Sequence, residues 1–239
     1  MTPAVTGATT VRIVSRRELA GLPHWQSAFA RQRKDHRYYE LVEDTLPDGF
    51  AYGYLGVENG GAIIAIQPFF TIDQDLMAGA GRAATALVAA ARRIWPRFMR
   101  AHTLMVGCAA GEGHLDGGNA AATGEVLARA LTKLARERGC SMAVLKEFPV
   151  QYRAPLQALR AAGFARIPSM PMTTLALDYA NFDDYLARAL SANSRSTVRR
   201  KLRVAARAEP AITMDVVVDA TPIVGELYPL YEKSTSVRR

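Results

Sequence analysis

Cysteine is scarce in this chain, with Cys108 and Cys140 as its only two. A single pair cannot make a disulfide framework, so two reduced thiols are expected and one bridge is the alternative. Long hydrophobic runs are missing as well. The longest, Ala83 to Ala91, is far too short to span a bilayer. The first ten residues are mostly small, with no basic segment leading into an apolar one, so no secretory leader is expected and a cytoplasmic protein is the expectation. Histidine occurs only at positions 24, 36, 102 and 114. His102, Cys108 and His114 lack zinc spacing and a fourth ligand, so no metal is expected. Nor does any pattern equip Cys108 with the partners of a thiol nucleophile.

Acidic residues are outnumbered, 22 against 30 Lys and Arg, for a net charge of +8. Such a balance favours anionic partners: nucleotides, CoA-type phosphates, tRNA or an anionic membrane surface. DNA is not among the partners expected. The remaining composition, 49% hydrophobic and 22% charged, is that of a globular chain able to build a sizeable core.

Periodicity orders the chain. Val11–Val14 is a short strand candidate, and Ser15-Arg-Arg-Glu18 is a capping-box pattern that opens a helix. Trp25, Ala28 and Phe29 give a short helical stripe, and 31–37 reads as a charged, solvated stretch. Two strands, Ala51–Val57 and Ala62–Phe70, flank Glu58-Asn59-Gly60-Gly61, a strong hairpin signal because Asn and Gly tolerate positive φ. Gly81 to Trp95 predicts a helix with Ala84, Leu87, Val88, Ala91 and Trp95 on its core face, broken by Pro96.

Thr103–Cys108 reads as a buried strand. A glycine-rich loop follows, with Gly107, Gly111, Gly113, Gly117 and Gly118, and then a helix from Ala120 to Arg138. Leu127, Ala130, Leu131 and Leu134 form its apolar stripe, and Gly139 stops it. Further strands are expected at Ser141–Phe148, Phe164–Ile167 and Met172–Asp178, with a helix at Ala154–Ala162. This order predicts an α/β (α+β) domain: a mixed central sheet flanked by helices.

The character shifts near residue 178, which divides the chain into 1–178 and 179–239. Asn181 caps a short helix, Ser194–Ala208 is an arginine-rich helix, and Ile212–Val218 is a strand candidate. Thr221 and Pro222 open a last helix whose apolar face (Ile223, Val224, Leu227, Leu230, Tyr231) finds little sequence left to pack against. The expectation is one complete domain followed by an incomplete second one, and a chain that by itself is inactive or only weakly active.

The stretch from Thr103 to Asp178 resembles the GNAT acyltransferase fold. Leu156-Gln-Ala-Leu159-Arg-Ala-Ala-Gly163-Phe164 is similar to the helix-ending Gly-Phe pair of that family. Phe182-Asp-Asp-Tyr185-Leu186, Leu190-Ser-Ala-Asn-Ser-Arg195, Arg199–Arg203 and Pro229-Leu230-Tyr231 resemble the second unit of FemAB-like acyltransferases, which carry two GNAT units in tandem. The resemblance implies transfer of an acyl or aminoacyl group to an amine, in peptidoglycan or other envelope-polymer biosynthesis. The donor would be acyl-CoA or an aminoacyl-tRNA, with no tightly bound cofactor. The phosphate loop departs from the family pattern, with Cys108 where a basic residue or Gln is usual and Asp116 further on.

Gly107, Gly111 and Gly113 are the candidates to cradle a donor pyrophosphate, since free amides ahead of a helix attract anions. A flexible strand-to-helix connection is the alternative. Acyl transfer to an amine needs a base for the ammonium proton and an acid for the leaving group, and Glu147 and Tyr152 are the candidates. Arg195, Arg199, Arg203 and Arg207 form one cationic ridge, able to bind an anionic substrate or a tRNA-linked donor or simply to solvate the helix. No aromatic residues interleave with them, which argues against sequence-specific RNA recognition. A GNAT-like scaffold without catalysis, binding an anionic envelope precursor, a membrane surface or a partner protein, is the competing expectation.

Overall fold

The computed structural model describes residues 9–78, 80–169 and 175–236. The chain divides into two compact units, Met1–Met170 and Pro171–Arg239.

The first unit is built on five strands in sequence order: β1 (Thr10–Val14), β2 (Phe50–Asn59), β3 (Ala62–Asp75), β4 (Arg100–Val106) and β5 (Met142–Leu145). Neighbours are antiparallel up to β4, and β4 pairs with β5 in parallel. This is the mixed, helix-flanked sheet that the sequence predicts. The β2–β3 hairpin turns at Gly60 and Gly61, whose φ values of 58° and 82° are the pair of positive angles that a two-residue hairpin turn requires.

Side chains alternate through the sheet and make two cores. On one face Leu55, Phe69, Leu104 and Val106 pack against Leu127, Leu131 and Leu134 of α5 (Ala120–Glu137) and Leu159 of α6 (Gln157–Ala161). On the other, Val14, Tyr54 and Ile66 pack against Leu19 of α1 (Arg16–Leu19), Trp25 of α2 (Pro23–Ser27), and Tyr39 and Val42 of α3 (His36–Thr45). The expected leucine stripe of α5 is the centre of the first core. Each leucine taken wholly out of water there contributes about 1.5–3 kcal/mol. The helix ends as Gly139 predicts: φ is 66°, and the Gly139 and Cys140 amides donate to Arg136 and Ala135 carbonyls (3.0 and 2.8 Å).

Several expectations fail. The charged stretch expected at 31–37 stays irregular as far as Asp35, and an unexpected helix, α3, begins at His36; Asp35 caps it by accepting from the Arg37 amide. The helix after Gly81 forms as α4 (Arg82–Ala91), but of its expected core face only Val88 is buried; Leu87 is 73% and Trp95 63% exposed. Among the described residues no strand follows Gly163: residues 164–169 and 175–178 are irregular, and the first part of the expected Met172–Asp178 strand, 172–174, lies outside the described residues. Phe164 packs on the first core from a loop.

In the second unit, α7 (Phe182–Ala189) is capped by Asn181 as expected and buries Leu186. It is followed by α8 (Ala192–Ala205), which buries nothing. The strand expected at Ile212–Val218 is irregular and open to solvent, with Val218 wholly exposed. An apolar run becomes a strand only with a ladder to join, and no strand is found in the described part of this unit. Thr221 does not cap the last helix, α9 (Val224–Ser236); a single 3-10 turn at Thr221–Ile223 precedes it, and Asp219 accepts from the Thr221 amide (3.0 Å).

Candidate functional site

The glycine loop lies where β4 leaves β3. Beyond the Phe69–Val106 pair the upper edge of β3 would be open, and loop 107–118 closes it. The Gly107 amide donates to the Pro68 carbonyl (3.0 Å), and the Ile66 amide donates to Asp116 Oδ2 (2.8 Å). Asp116 is buried, and its Oδ2 also meets His24 Nε2 at 2.7 Å. One carboxylate thus ties the sheet edge to α2. A buried ion lacking such partners would be costly.

Gln67 interrupts the apolar run of β3 and is wholly buried. Its Nε2 donates to the His114 carbonyl (3.0 Å), whereas Oε1 has no protein partner. His114 Nδ1 stands 3.3 Å from the Tyr152 hydroxyl, and its Nε2 4.0 Å from Glu112. Burial lowers the pKa of His114, which keeps the ring neutral at neutral pH. A neutral imidazole can either accept the phenolic proton or donate one. On the opposite face of the sheet the hydroxyl of Tyr39 is also buried without a protein partner, and burial pushes its phenol up.

At the end of β5 the ladder with β4 closes with the Lys146 amide on the Val106 carbonyl (3.0 Å). The Gly113 amide then donates to the Glu147 carbonyl (3.2 Å). The loop therefore returns into the gap between the parallel strands. Gly113 has no room for a Cβ, which would lie 2.7 Å from the Lys146 carbonyl and 2.6 Å from the Phe148 ring.

These contacts change the picture of the cradle. Two of the three expected glycines, 107 and 113, already give their amides to the protein's own carbonyls. What sequence reasoning missed is a pair of ammonium groups over the loop. Lys34 Nζ donates to the Ala110 carbonyl (2.9 Å) and Lys146 Nζ to the Gly111 carbonyl (3.1 Å), leaving each with further donors. The Tyr38 hydroxyl joins Lys34 on Ala110 (3.1 Å). A Cβ on Gly111 would fall 1.9 Å from Lys34 Nζ, so the glycine lets the lysine lie across the loop.

The other expected residues separate. Glu147 stands at the strand end in left-handed backbone (φ 54°), with its carboxylate 2.9 Å from Lys146 Nζ. Tyr152 is buried beneath, edge-on to Phe148 and to His114. Cys108 is buried among α2 and α3 side chains, and burial raises its pKa, so it carries no reactive thiolate. The arginine ridge is broken. Arg195 Nη1 donates to the Ala187 and Leu186 carbonyls (2.7 and 3.4 Å) and so caps α7, and Arg207 follows the end of α8. Arg199 and Arg203 stay exposed on either side of half-exposed Leu202. A shallow surface hollow beside Tyr152 is lined by Arg153, Arg160 and Arg166. Among the described residues no three His, Cys, Asp or Glu side chains converge as metal ligands.

No protein-family profile and no curated protein matches this chain. Solved structures with some similarity include a ribosomal-protein-alanine N-acetyltransferase from Brucella melitensis biovar Abortus 2308, with 19% identity and a TM-score of 0.39. Another is a transcriptional regulator from Bacillus halodurans C-125, with 14% identity and a TM-score of 0.42. Each similarity covers 70% of this chain and the whole of the other. Neither is close enough to bear on what this chain does.

Proposed function

We propose that the first unit is a GNAT-like N-acyltransferase that moves an acyl group from acyl-CoA to an amine. The observation that carries the reading is the meeting of three features: the parting of parallel β4 and β5, the two ammonium groups over the loop in the gap, and the His114–Tyr152 pair beneath it. Lys34 and Lys146 hold the donor's phosphates by charge-assisted hydrogen bonds, taking the place of the glycine amides. Gly111 gives the loop its close approach. The acceptor nitrogen attacks the thioester carbonyl carbon, the C–N bond forms and the C–S bond breaks. Glu147 takes the proton that the acceptor ammonium must lose before attack, and Tyr152 gives its proton to the departing thiolate with His114 restoring it.

In the finer form of the proposal the chain belongs with the FemAB-like tandem enzymes. The acceptor is then an amine of peptidoglycan or another envelope polymer, an aminoacyl-tRNA ester can replace the thioester, and Arg199, Arg203 and Arg207 bind the anionic substrate. The second unit, from about residue 179, is then a partial GNAT-like unit.

The test is release of free CoA thiol from acyl-CoA in the presence of amine acceptors. Wild type is expected to turn over only weakly in this chain, and Tyr152→Phe to lose on the order of a hundredfold in kcat. Absence of heat or thermal shift with acyl-CoA, unaltered by Lys34→Ala or Lys146→Ala, would sink the reading. The occupied amides of Gly107 and Gly113 favour one competitor, a scaffold that binds an anionic ligand without acyl chemistry. Salt-sensitive binding of an anionic polymer with no acyl-CoA binding would select it.

A further inference from the structure

Residues 76–111 contain five arginines and no aspartate or glutamate. Within this stretch lies α4, and its outward face is apolar. Leu87 is 73%, Ile94 92% and Trp95 63% exposed. The helical turn continues past α4, with the Ile94 and Trp95 amides both donating to Ala91 (3.1 and 2.9 Å). At 3.6 residues per turn Leu87 and Ile94 share one line along the surface, and Arg82 and Arg93 fall on the flank away from Val88; Trp95, past the end of α4, is placed at the surface by its exposure and its contact with Phe98 rather than by helical spacing. Arg82, Arg93 and Arg97 are exposed.

The display is built rather than frayed. Arg92 Nη1 and Nη2 donate to both carboxylate oxygens of Asp75 (2.8 and 2.7 Å), while Nε donates to the Phe98 carbonyl (2.9 Å) and Nη2 to the Met99 carbonyl (3.3 Å). Met99 adopts left-handed backbone (φ 56°), which turns the chain back into β4. Trp95 rests against Phe98, ring centres 5.6 Å apart. One guanidinium thus ties both ends of the turn that lifts Ile94 and Trp95 into solvent. The Arg92 bonds, with help from the Met77 amide, hold the Asp75 carboxyl down to about 2, so the clamp stays ionised at any pH a cell presents.

We propose that the Leu87–Ile94–Trp95 face, with Arg82, Arg93 and Arg97 around it, is a docking surface for an anionic lipid bilayer. The apolar wedge enters the boundary between headgroups and acyl chains, where an indole is favoured, and the arginines meet lipid phosphates. A protein partner would want carboxylates or hydrogen-bonding groups opposite so one-sided a field. RNA would want flat stacking platforms, whereas Leu87 and Ile94 are aliphatic. The proposal does not depend on the acyltransferase reading, and it assigns the membrane contact to the first unit rather than to the arginines of α8.

The tryptophans supply the probe. Trp25 is buried and Trp95 exposed, and the chain has no others. The full chain is titrated with vesicles of phosphatidylglycerol and phosphatidylcholine, with vesicles of phosphatidylcholine alone, and with a single-stranded RNA. The expected result is a blue shift of tryptophan emission and co-sedimentation with the anionic vesicles only, both reduced by salt. Trp95→Ala removes the shift, and Ile94→Ser and Arg93→Glu/Arg97→Glu each weaken sedimentation by about tenfold or more. All are exposed positions, and circular dichroism checks their folding. An Arg199→Glu/Arg203→Glu variant sediments like wild type. The proposal is overturned if anionic vesicles leave Trp95 unshifted, or if only the α8 variant loses binding. It is equally overturned if RNA alone shifts Trp95, or if the shift comes from a dimer that Trp95→Ala dissociates.

Discussion

Helices α4 and α5 both announce themselves by an apolar stripe at helical spacing, yet α5 buries its stripe at the centre of a core and α4 turns most of its own outward. The difference lies in what each helix connects. α5 joins the parallel neighbours β4 and β5, and a parallel crossover must return across the face of the sheet. α4 joins the antiparallel neighbours β3 and β4, whose ends lie side by side, so nothing compels the connection to lie on the sheet. Periodicity states that a helix has an apolar face; the connection decides whether that face meets the core.

The largest effect that sharpens this contrast is truncation at matched leucines. Leu131→Ala, at a wholly buried position, is expected to cost about 2–5 kcal/mol. Leu87→Ala is expected to stay within about 0.5 kcal/mol. Urea denaturation of both variants measures it, and similar losses would mean that α4 is packed after all.

A middle-sized effect comes from Gly124, inside α5. Alanine in a helix ordinarily gains about 1 kcal/mol over glycine. Here its Cβ would lie 2.0 Å from the Pro155 carbonyl oxygen, a backbone atom. Gly124→Ala is therefore expected to destabilise by about 1–3 kcal/mol, with the sign of the change as the decisive reading. Gly81, just ahead of α4, meets nothing within 4 Å of its would-be Cβ, and Gly81→Ala is expected to leave stability nearly unchanged.

The smallest effect is a pH dependence on the α5 side. The folded pKa of His114 lies below the ordinary value of 6.5 because the ring is buried. As pH falls below 6.5 the unfolded chain takes up a proton that the folded one resists, so stability drops until the folded value is passed and then levels. Denaturation midpoints between neutral and mildly acidic pH should show this slope in wild type and less of it in His114→Gln. An unchanged slope in the variant would remove His114 as its source.

Much of the first unit was legible because its signals are local. Asn59-Gly60-Gly61 dictates a tight hairpin, Ser15 and Glu18 a capping box, and Gly139 a helix stop, and all three form. Helix α3 was hidden because its charged lead-in from Arg31 to Arg37 masked Asp35 as a cap for the Tyr39–Val42 face. The strands expected beyond Gly163 and at Ile212–Val218 carry apolar residues, but pairing is a long-range matter that no local pattern fixes.

The site was legible in outline only. The glycine loop announces itself, but which amides remain free depends on carbonyls of Pro68 and Glu147, distant in sequence. Lys34 comes from the connection between α2 and α3, distant in sequence, and no spacing rule would bring it to Ala110. Gln67 was the one available signal: an amide in an otherwise apolar strand must find a buried partner, and it leads to His114 and Tyr152.

Amide hydrogen exchange on the full chain tests most directly the claim that the connection, not the periodicity, decides burial. The amides of α5 between residues 126 and 135 should exchange only through global opening, on the order of a hundredfold or more slower than those of α4. Equal protection of the two helices, or slower exchange in α4, would contradict the account, showing that α4 is held by the core as firmly as α5.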